Sequence, residues 1–302
     1  MFAYLLLLIF MAISTTNRVI NKLLGNKFPT DAQHIVAYNM ITSAIASLFL
    51  FATAGFQLQV NLTTLVYAIV YSIVCAASVI SIIAVKYADI SLVGLSSSAG
   101  SLLTTTLFGV VYFQEPLRFN TVLPVLLMLI AVFLPARALA REKNKNNKLG
   151  VLLCVALFFV GGLGTIVSKL FAVDTRVTNS NSFFVLTNLF IFLVCTIVWF
   201  CSPKKEKKHY NPLLAFEKKQ TVGMIITVVL SNIGSLLSIA ILADLPISVY
   251  SLLTSSISVI MGLILSKCFK QPLTKEHYIG AVLAIIATII SVWEQLYLLV
   301  IS

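Results

Sequence analysis

The sequence predicts an all-α integral membrane protein of ten transmembrane helices, arranged as two inverted five-helix repeats, and three observations predict it. First, 59% of the 302 residues are hydrophobic and only 10% are charged, whereas a soluble domain carries about 25% charged residues. So few charges cannot cover a surface in water, and lipid supplies the missing apolar surroundings. Second, the apolar residues come in runs of roughly 20, the length that spans a hydrocarbon core about 30 Å thick. Third, both halves of the chain repeat the same order of runs and breaks. No stretch is long and polar enough to form a separate soluble domain.

The runs place helices near 2–21, 33–54, 61–85, 90–113, 119–139, 149–171, 181–201, 220–242, 247–268 and 277–299. The first, MFAYLLLLIFMAIS, has neither a basic start nor a small-residue cleavage site, so it reads as a retained helix rather than a secretory signal. Asn26 to Asp31 breaks the first pair, and Gln114-Glu115-Pro116 ends the fourth helix. The polar run Arg141 to Lys148 divides the chain, and Pro203 to Lys208 closes the seventh helix. The domain reading is therefore a first repeat over 1–140, a basic linker over 141–148 and a second repeat over 149–302.

The halves correspond in detail. Ala88-Asp89 answers Ala243-Asp244, and Pro116-Leu117 answers Pro272-Leu273, with Asp-to-Pro separations that differ by one residue. A Ser/Thr-rich helix fills each interval. An odd number of spans per half puts the second half into the bilayer upside down relative to the first, a construction common among secondary transporters, whose sites lie where the repeats meet.

Charge sets orientation. The net charge of +11 does not indicate a nucleic-acid binder, because the basic residues lie between apolar runs. All 21 Lys and Arg except Arg118, Lys169 and Arg176 fall on odd-numbered connections or their flanks. By the positive-inside rule those connections, including loops 137–148 and 203–219, face the cytoplasm and both termini lie outside. The expected location is the plasma membrane, as a monomer or homodimer.

Two five-helix halves, each with a Ser/Thr-rich fourth helix followed by Gln114-Glu115-Pro116-Leu117 or Lys270-Gln271-Pro272-Leu273, resemble the EamA-type branch of the drug/metabolite transporter superfamily. Glu115 matches the family's Glu after that helix, and Gln271 departs from it. Lys22 and Lys169 match a Lys near the end of each half's first helix. The resemblance covers nearly the whole chain and implies transport without naming a substrate. It also implies cytoplasmic termini, against the charge distribution, and the charge distribution is followed here. Small multidrug exporters of the same superfamily bind cations with a first-helix Glu; this first helix offers Ser14, Thr15, Thr16, Asn17 and Arg18 instead.

None of the expected spans carries an acidic residue near its centre. The polar residues within spans are hydroxyls, amides and glycines, a set suited to a neutral or zwitterionic solute. An Asn in a span must find polar company, so Asn17, Asn39, Asn188 and Asn232 are candidate binding residues, with Tyr38 and Tyr71 beside them. Ser97, Ser101, Ser235 and Ser255 are further candidates, although close helix packing is the better account of any single Ser. Arg18 and Lys169 either snorkel to the interface or meet an anionic group on a substrate. Asn61-Leu62-Thr63 is a glycosylation sequon on the expected outer side. The five cysteines show no CxxC spacing, the histidines have no partners at ligand spacing, and no hydrolase or nucleotide-binding motif occurs, so no enzyme, metal or cofactor is expected. The function expected is alternating-access transport of a small polar metabolite such as an amino acid, nucleoside or sugar. A flippase for a lipid-linked substrate and a non-transporting membrane scaffold are the alternatives.

Overall fold

The computed structural model describes residues 2–25, 32–78, 84, 90–115, 119–141, 145–177, 179–201, 218–268 and 275–301. All regular structure among them is helical: α1 (Phe2–Gly25), α2 (Ala32–Thr53), α3 (Leu62–Ser78), α4 (Ile90–Tyr112), α5 (Phe119–Arg141), α6 (Lys145–Val160), α7 (Leu163–Val173), α8 (Ser180–Cys201), α9 (Lys218–Asp244), α10 (Ile247–Cys268) and α11 (Lys275–Ile301). The Ala88-Asp89, Pro116-Leu117 and Pro272-Leu273 markers, Gln271, and most of the 203–219 loop lie outside the described residues.

The expected sixth span divides into α6 and α7 at Gly161-Gly162, and α6 begins inside the expected linker. Close approach explains the break. A Cβ on Gly161 would lie 2.5 Å from the Ser97 carbonyl oxygen, and one on Gly162 would lie 1.6 Å from Thr104 Oγ1. The Gly161 N–H still reaches the Leu157 carbonyl at 2.8 Å, and the Ile166 N–H reaches that of Gly162 at 3.1 Å, so the two helices nearly run on.

Four segments among the described residues are long and apolar enough to cross a membrane: Ile35–Thr53, Leu149–Val173, Ser180–Cys201 and Thr221–Asp244, with mean hydropathies from 1.8 to 2.5. Their outward faces are apolar. On α8, Leu193, Val194, Ile197 and Phe200 are all exposed, Phe200 by 73%. In water so continuous an apolar face marks a site awaiting cover; in a bilayer it is the lipid contact.

The chain packs as two units, one of Met1–Ala76 with Leu170–Ala243 and the other of Ala77–Lys169 with Asp244–Ser302, so each draws on both sequence halves. In the first unit α2 packs chiefly on α8. Leu50 shares a core with Phe183 and Phe184, while Thr42 and Ala46 meet Asn188 and Ile191 further along, so these helices run antiparallel. The Phe171 and Phe183 rings stack at 4.3 Å in that core. In the second unit α4 pairs with α10 and α5 with α11. Gly109 faces Ile247 while Ala99 and Leu102 pack near Leu252, and Gly280 faces Ala131 while Val125 and Met128 pack with Ala284 and Ala287; both pairs are antiparallel.

A carboxylate joins α4 to α10. Gln114 has φ +53° and turns the chain so that the Glu115 N–H reaches the Gly109 carbonyl at 3.1 Å. Glu115 Oε1 then accepts the Ile247 N–H at 2.9 Å, and Oε2 accepts the Ser248 hydroxyl at 2.5 Å. This caps the start of α10, where backbone N–H groups lack helical partners and the helix dipole favours negative charge. Gly109 makes room for it, since a Cβ there would stand 2.7 Å from Glu115 Oε2.

Two predictions follow from this packing. Gly100 is pressed on α6, where a Cβ would lie 1.8 Å from the Phe158 carbonyl oxygen, whereas at Gly234 the nearest atom is at 3.6 Å. Gly100→Ala is expected to destabilise the protein by about 1–3 kcal/mol through overpacking, and Gly234→Ala to stabilise it by up to about 1 kcal/mol through helix propensity. Melting temperatures in detergent check both, and equal shifts would refute the close-approach account. Glu115→Ala should cost about 0.5–2 kcal/mol, as lost caps do, while Glu115→Gln, which keeps an acceptor oxygen for Ile247, should recover part of the loss.

Candidate functional site

In the first unit, four helices line a cavity of about 190 Å³. The wall of α2 is Tyr38, Asn39, Thr42, Ser43 and Ala46, and that of α9 is Thr227, Val228, Ser231 and Asn232. Both sets recur at the spacing that keeps side chains on one helical face. Helix α8 adds Asn188 and Ile191, and α1 adds Asn17. Asn39 and Asn188 stand roughly 10–12 Å from the starts of helices about 33 Å long, at 1.5 Å per residue. The opposite faces of α8 and α9, with Leu193, Ile197, Val222 and Ile226, are exposed and apolar. The polar stripe faces inward and the apolar stripe outward, the reverse of a helix from a water-soluble protein.

Three of the four asparagines are held alike. Nδ2 of Asn39 donates to the Ile35 carbonyl at 2.8 Å, that of Asn188 to Phe184 at 2.8 Å, and that of Asn232 to Val228 at 2.7 Å. A carbonyl only accepts, so the NH2 group must face it, and this fixes each amide's orientation. Among the described residues no partner meets the three Oδ1 oxygens. The hydroxyls of Thr42 and Ser43 donate to the Tyr38 and Asn39 carbonyls at 2.8 and 2.5 Å. Tyr38 and Thr227 are hydrogen-bonded to each other between α2 and α9. None of the lining residues carries a charge at neutral pH.

Of the residues expected from sequence, Asn17, Tyr38, Asn39, Asn188 and Asn232 meet at this cavity. The others stand elsewhere. Tyr71 packs against the Phe183 and Phe184 rings at 5.3 and 5.9 Å. Ser97 and Ser101 lie at the contact of α4 with Gly161 and Gly162. Ser235 Oγ donates to the Ser231 carbonyl at 3.0 Å, and Ser255 is buried in α10. Lys169 belongs to the second unit, where its buried Nζ donates to the Leu245 carbonyl at 3.0 Å and lies 5.7 Å from the Phe113 ring centre, with Glu115 and Asp244 as its charged neighbours. Arg18 lies in α1, and its side chain is outside the described residues. Ser231 belongs to the polar cluster that the sequence shows around Asn232, whereas Thr42, Ser43 and Thr227 were not singled out from sequence. Their signal was their spacing, within a turn or so of Asn39 and Asn232 on the same stripe. Among the described residues no three His, Cys, Asp or Glu side chains gather to hold a metal ion.

One end of this unit is tied by side chains. Asn61 Oδ1 caps α3 by accepting the Thr64 N–H at 2.7 Å, and Asn179 Oδ1 caps α8 by accepting that of Ser182 at 3.1 Å. Asn61 Nδ2, the atom a glycan would take at the sequon, donates to the Arg176 carbonyl. The Gln59 N–H donates to Ser182 Oγ at 3.1 Å. Asp174, just past α7, accepts from the Arg176 guanidinium at 2.9 and 3.0 Å and from the Tyr67 hydroxyl at 3.2 Å. The Arg176 hydrogen bonds hold the Asp174 carboxyl down to about 2.

No family model and no curated protein matches the chain. Solved structures do match. One, described only as the crystal structure of a protein, is similar at a TM-score of 0.65 over 96% of this chain and 96% of its own, with 15% identity. At that identity the likeness is one of fold.

The Asp174 cluster yields a pH prediction. An unfolded Asp titrates near 3.9 and the folded carboxyl near 2. Its stabilisation is therefore complete above about pH 5 and is lost as pH falls towards the folded value. Asp174→Asn should lower the melting temperature at pH 7, and its difference from the natural protein should shrink by pH 3; a constant difference would refute the assignment.

Proposed function

We propose that the chain is a secondary membrane transporter of a small polar metabolite, built as an EamA-like ten-span inverted repeat and working by alternating access. The observation that carries the reading is the uncharged polar cavity near the mid-height of apolar helices. Buried polar side-chain atoms are for the most part hydrogen-bonded, whereas here three asparagines, each with only an Nδ2 hydrogen spent on its own helix, line open space large enough for a small solute. The repeat reading draws on the three antiparallel pairs α2 with α8, α4 with α10 and α5 with α11, which join the second, fourth and fifth expected spans of 1–140 to their counterparts in 149–302. A structure of inverted repeats pairs equivalent helices in that way. The basic loops 137–148 and 203–219 face the cytoplasm in this reading.

Counterflow in proteoliposomes tests it. Purified protein loaded with one unlabelled metabolite is offered the same metabolite labelled outside, across amino acids, nucleosides and sugars. At least one should exchange faster than in empty vesicles. Asn188→Leu, which removes a cavity amide, should lower that exchange about tenfold or more, the equivalent of about 1.4 kcal/mol for a solute group left unpaired. Exchange of none of them, or exchange indifferent to Asn188→Leu and Asn39→Leu, would defeat the proposal.

A further inference from the structure

The cavity wall is unbalanced in hydrogen-bonding capacity. Each of Asn39, Asn188 and Asn232 spends one Nδ2 hydrogen on its own helix, which leaves one donor and a whole carbonyl oxygen. A carbonyl oxygen has two lone pairs, so each amide offers more acceptance than donation. Thr42 and Ser43 spend their only hydrogens on backbone carbonyls, and their oxygens remain as acceptors. Helical back-bonding has thus converted a mixed set of side chains into a wall richer in oxygen lone pairs than in N–H or O–H groups.

A wall of this kind discriminates by donor count. A carboxylate or phosphate is acceptor-only and would meet surplus lone pairs with no cation in the wall. A quaternary ammonium carries charge but no N–H. A primary ammonium has three donors and no acceptor, which complements the three free amide oxygens, and carbonyl dipoles can replace the hydration of a cation. We infer that the cavity recognises a small solute through a primary ammonium group. The inference rests on the transporter reading of the same cavity and narrows it. The group can come from a simple amine or from an amino acid, whose carboxylate would draw on the remaining Nδ2 hydrogens.

Thermal unfolding of the purified full-length chain in detergent decides the matter, with ligands matched in shape. Isobutylammonium is compared with isobutyltrimethylammonium, leucine with N,N,N-trimethylleucine, and isovalerate serves as the anion. At least one primary ammonium should raise the melting temperature with saturating dependence on concentration, since a ligand that binds only the folded state stabilises it. Its trimethylated partner and isovalerate should not. If isobutylammonium alone acts, the solute is an amine; if leucine acts more strongly, it is an amino acid. Asn188→Leu and Asn232→Leu should each weaken the apparent affinity about tenfold, and where a variant fails to fold the trimethylated pairs still decide. Stabilisation by isovalerate, equal effects within a pair, or no effect from any of the five overturns the inference. Exchange of glucose or uridine in proteoliposomes, sensitive to Asn188→Leu, would then leave the transporter reading standing without the ammonium; no exchange of any solute would remove both.

Discussion

An apolar medium offers no water to complete a hydrogen bond, so a polar group on a helix that crosses it gains most from a partner within the protein. In this chain the nearest partner is the helix itself. The carbonyl one turn back takes the hydrogen of Thr42, Ser43, Ser47, Thr104, Thr105, Thr187, Thr196 and Thr254, and an amide hydrogen of Asn39, Asn188 and Asn232. The same bond has two consequences. Where helices touch, it hides the hydroxyl and lets backbones close up, as at Thr104 above Gly162. Where they part, it leaves oxygen facing the gap. The acceptor-rich cavity and the tight contacts around α4 are one chemical habit in two settings.

Close contact also depends on what is absent from the side chain. Gly100, Gly161, Gly162 and Gly280 each lie where a Cβ would come within 2.7 Å of a neighbouring oxygen. Between lipid-facing helices association rests on van der Waals packing rather than on expulsion of water, so distance of approach matters more than apolar area. At Gly109 the space is given to a charged group instead. Glu115 enters it to satisfy the start of α10, fixing one end of the α4 and α10 pair while Ala99, Leu102 and Leu252 pack further along.

Most helices were legible because apolar length and polar punctuation are local properties. The expected spans 33–54, 181–201 and 247–268 lie within a residue or two of α2, α8 and α10. The break at Gly161-Gly162 was less legible, since its cause is the surface of α4, far away in sequence. The cavity was partly legible for the same reason. An Asn in an apolar run announces its need for polar company, so Asn17, Asn39, Asn188 and Asn232 stood out. A Ser or Thr satisfies itself on its own helix and announces nothing, so Ser97 and Ser101 were indistinguishable from Thr42 and Ser43 until the packing separated them. Lys169 illustrates the limit from the other side. Its charge left two roles open, an ammonium at the interface or a contact with an anionic solute, and its bond to the Leu245 carbonyl, a partner 76 residues away, is one that spacing cannot reveal.

A cavity wall without formal charge bears on how transport would be driven. Side chains that ionise can carry a coupling proton or hold a coupling cation, and among the described lining residues none is charged at neutral pH. At one end of the first unit Asp174 and Arg176 pair with each other. In the proposed transporter the solute would bring its own charge to the site. A membrane potential does work of about 2.3 kcal/mol on each elementary charge per 100 mV. For a cationic amine that work would bias movement towards the negative side, whereas for a zwitterion it would nearly vanish. In the proposed transporter the hydrogen-bonding character of the wall would thus set more than which solute enters: it would also set whether the electric field can drive that solute across.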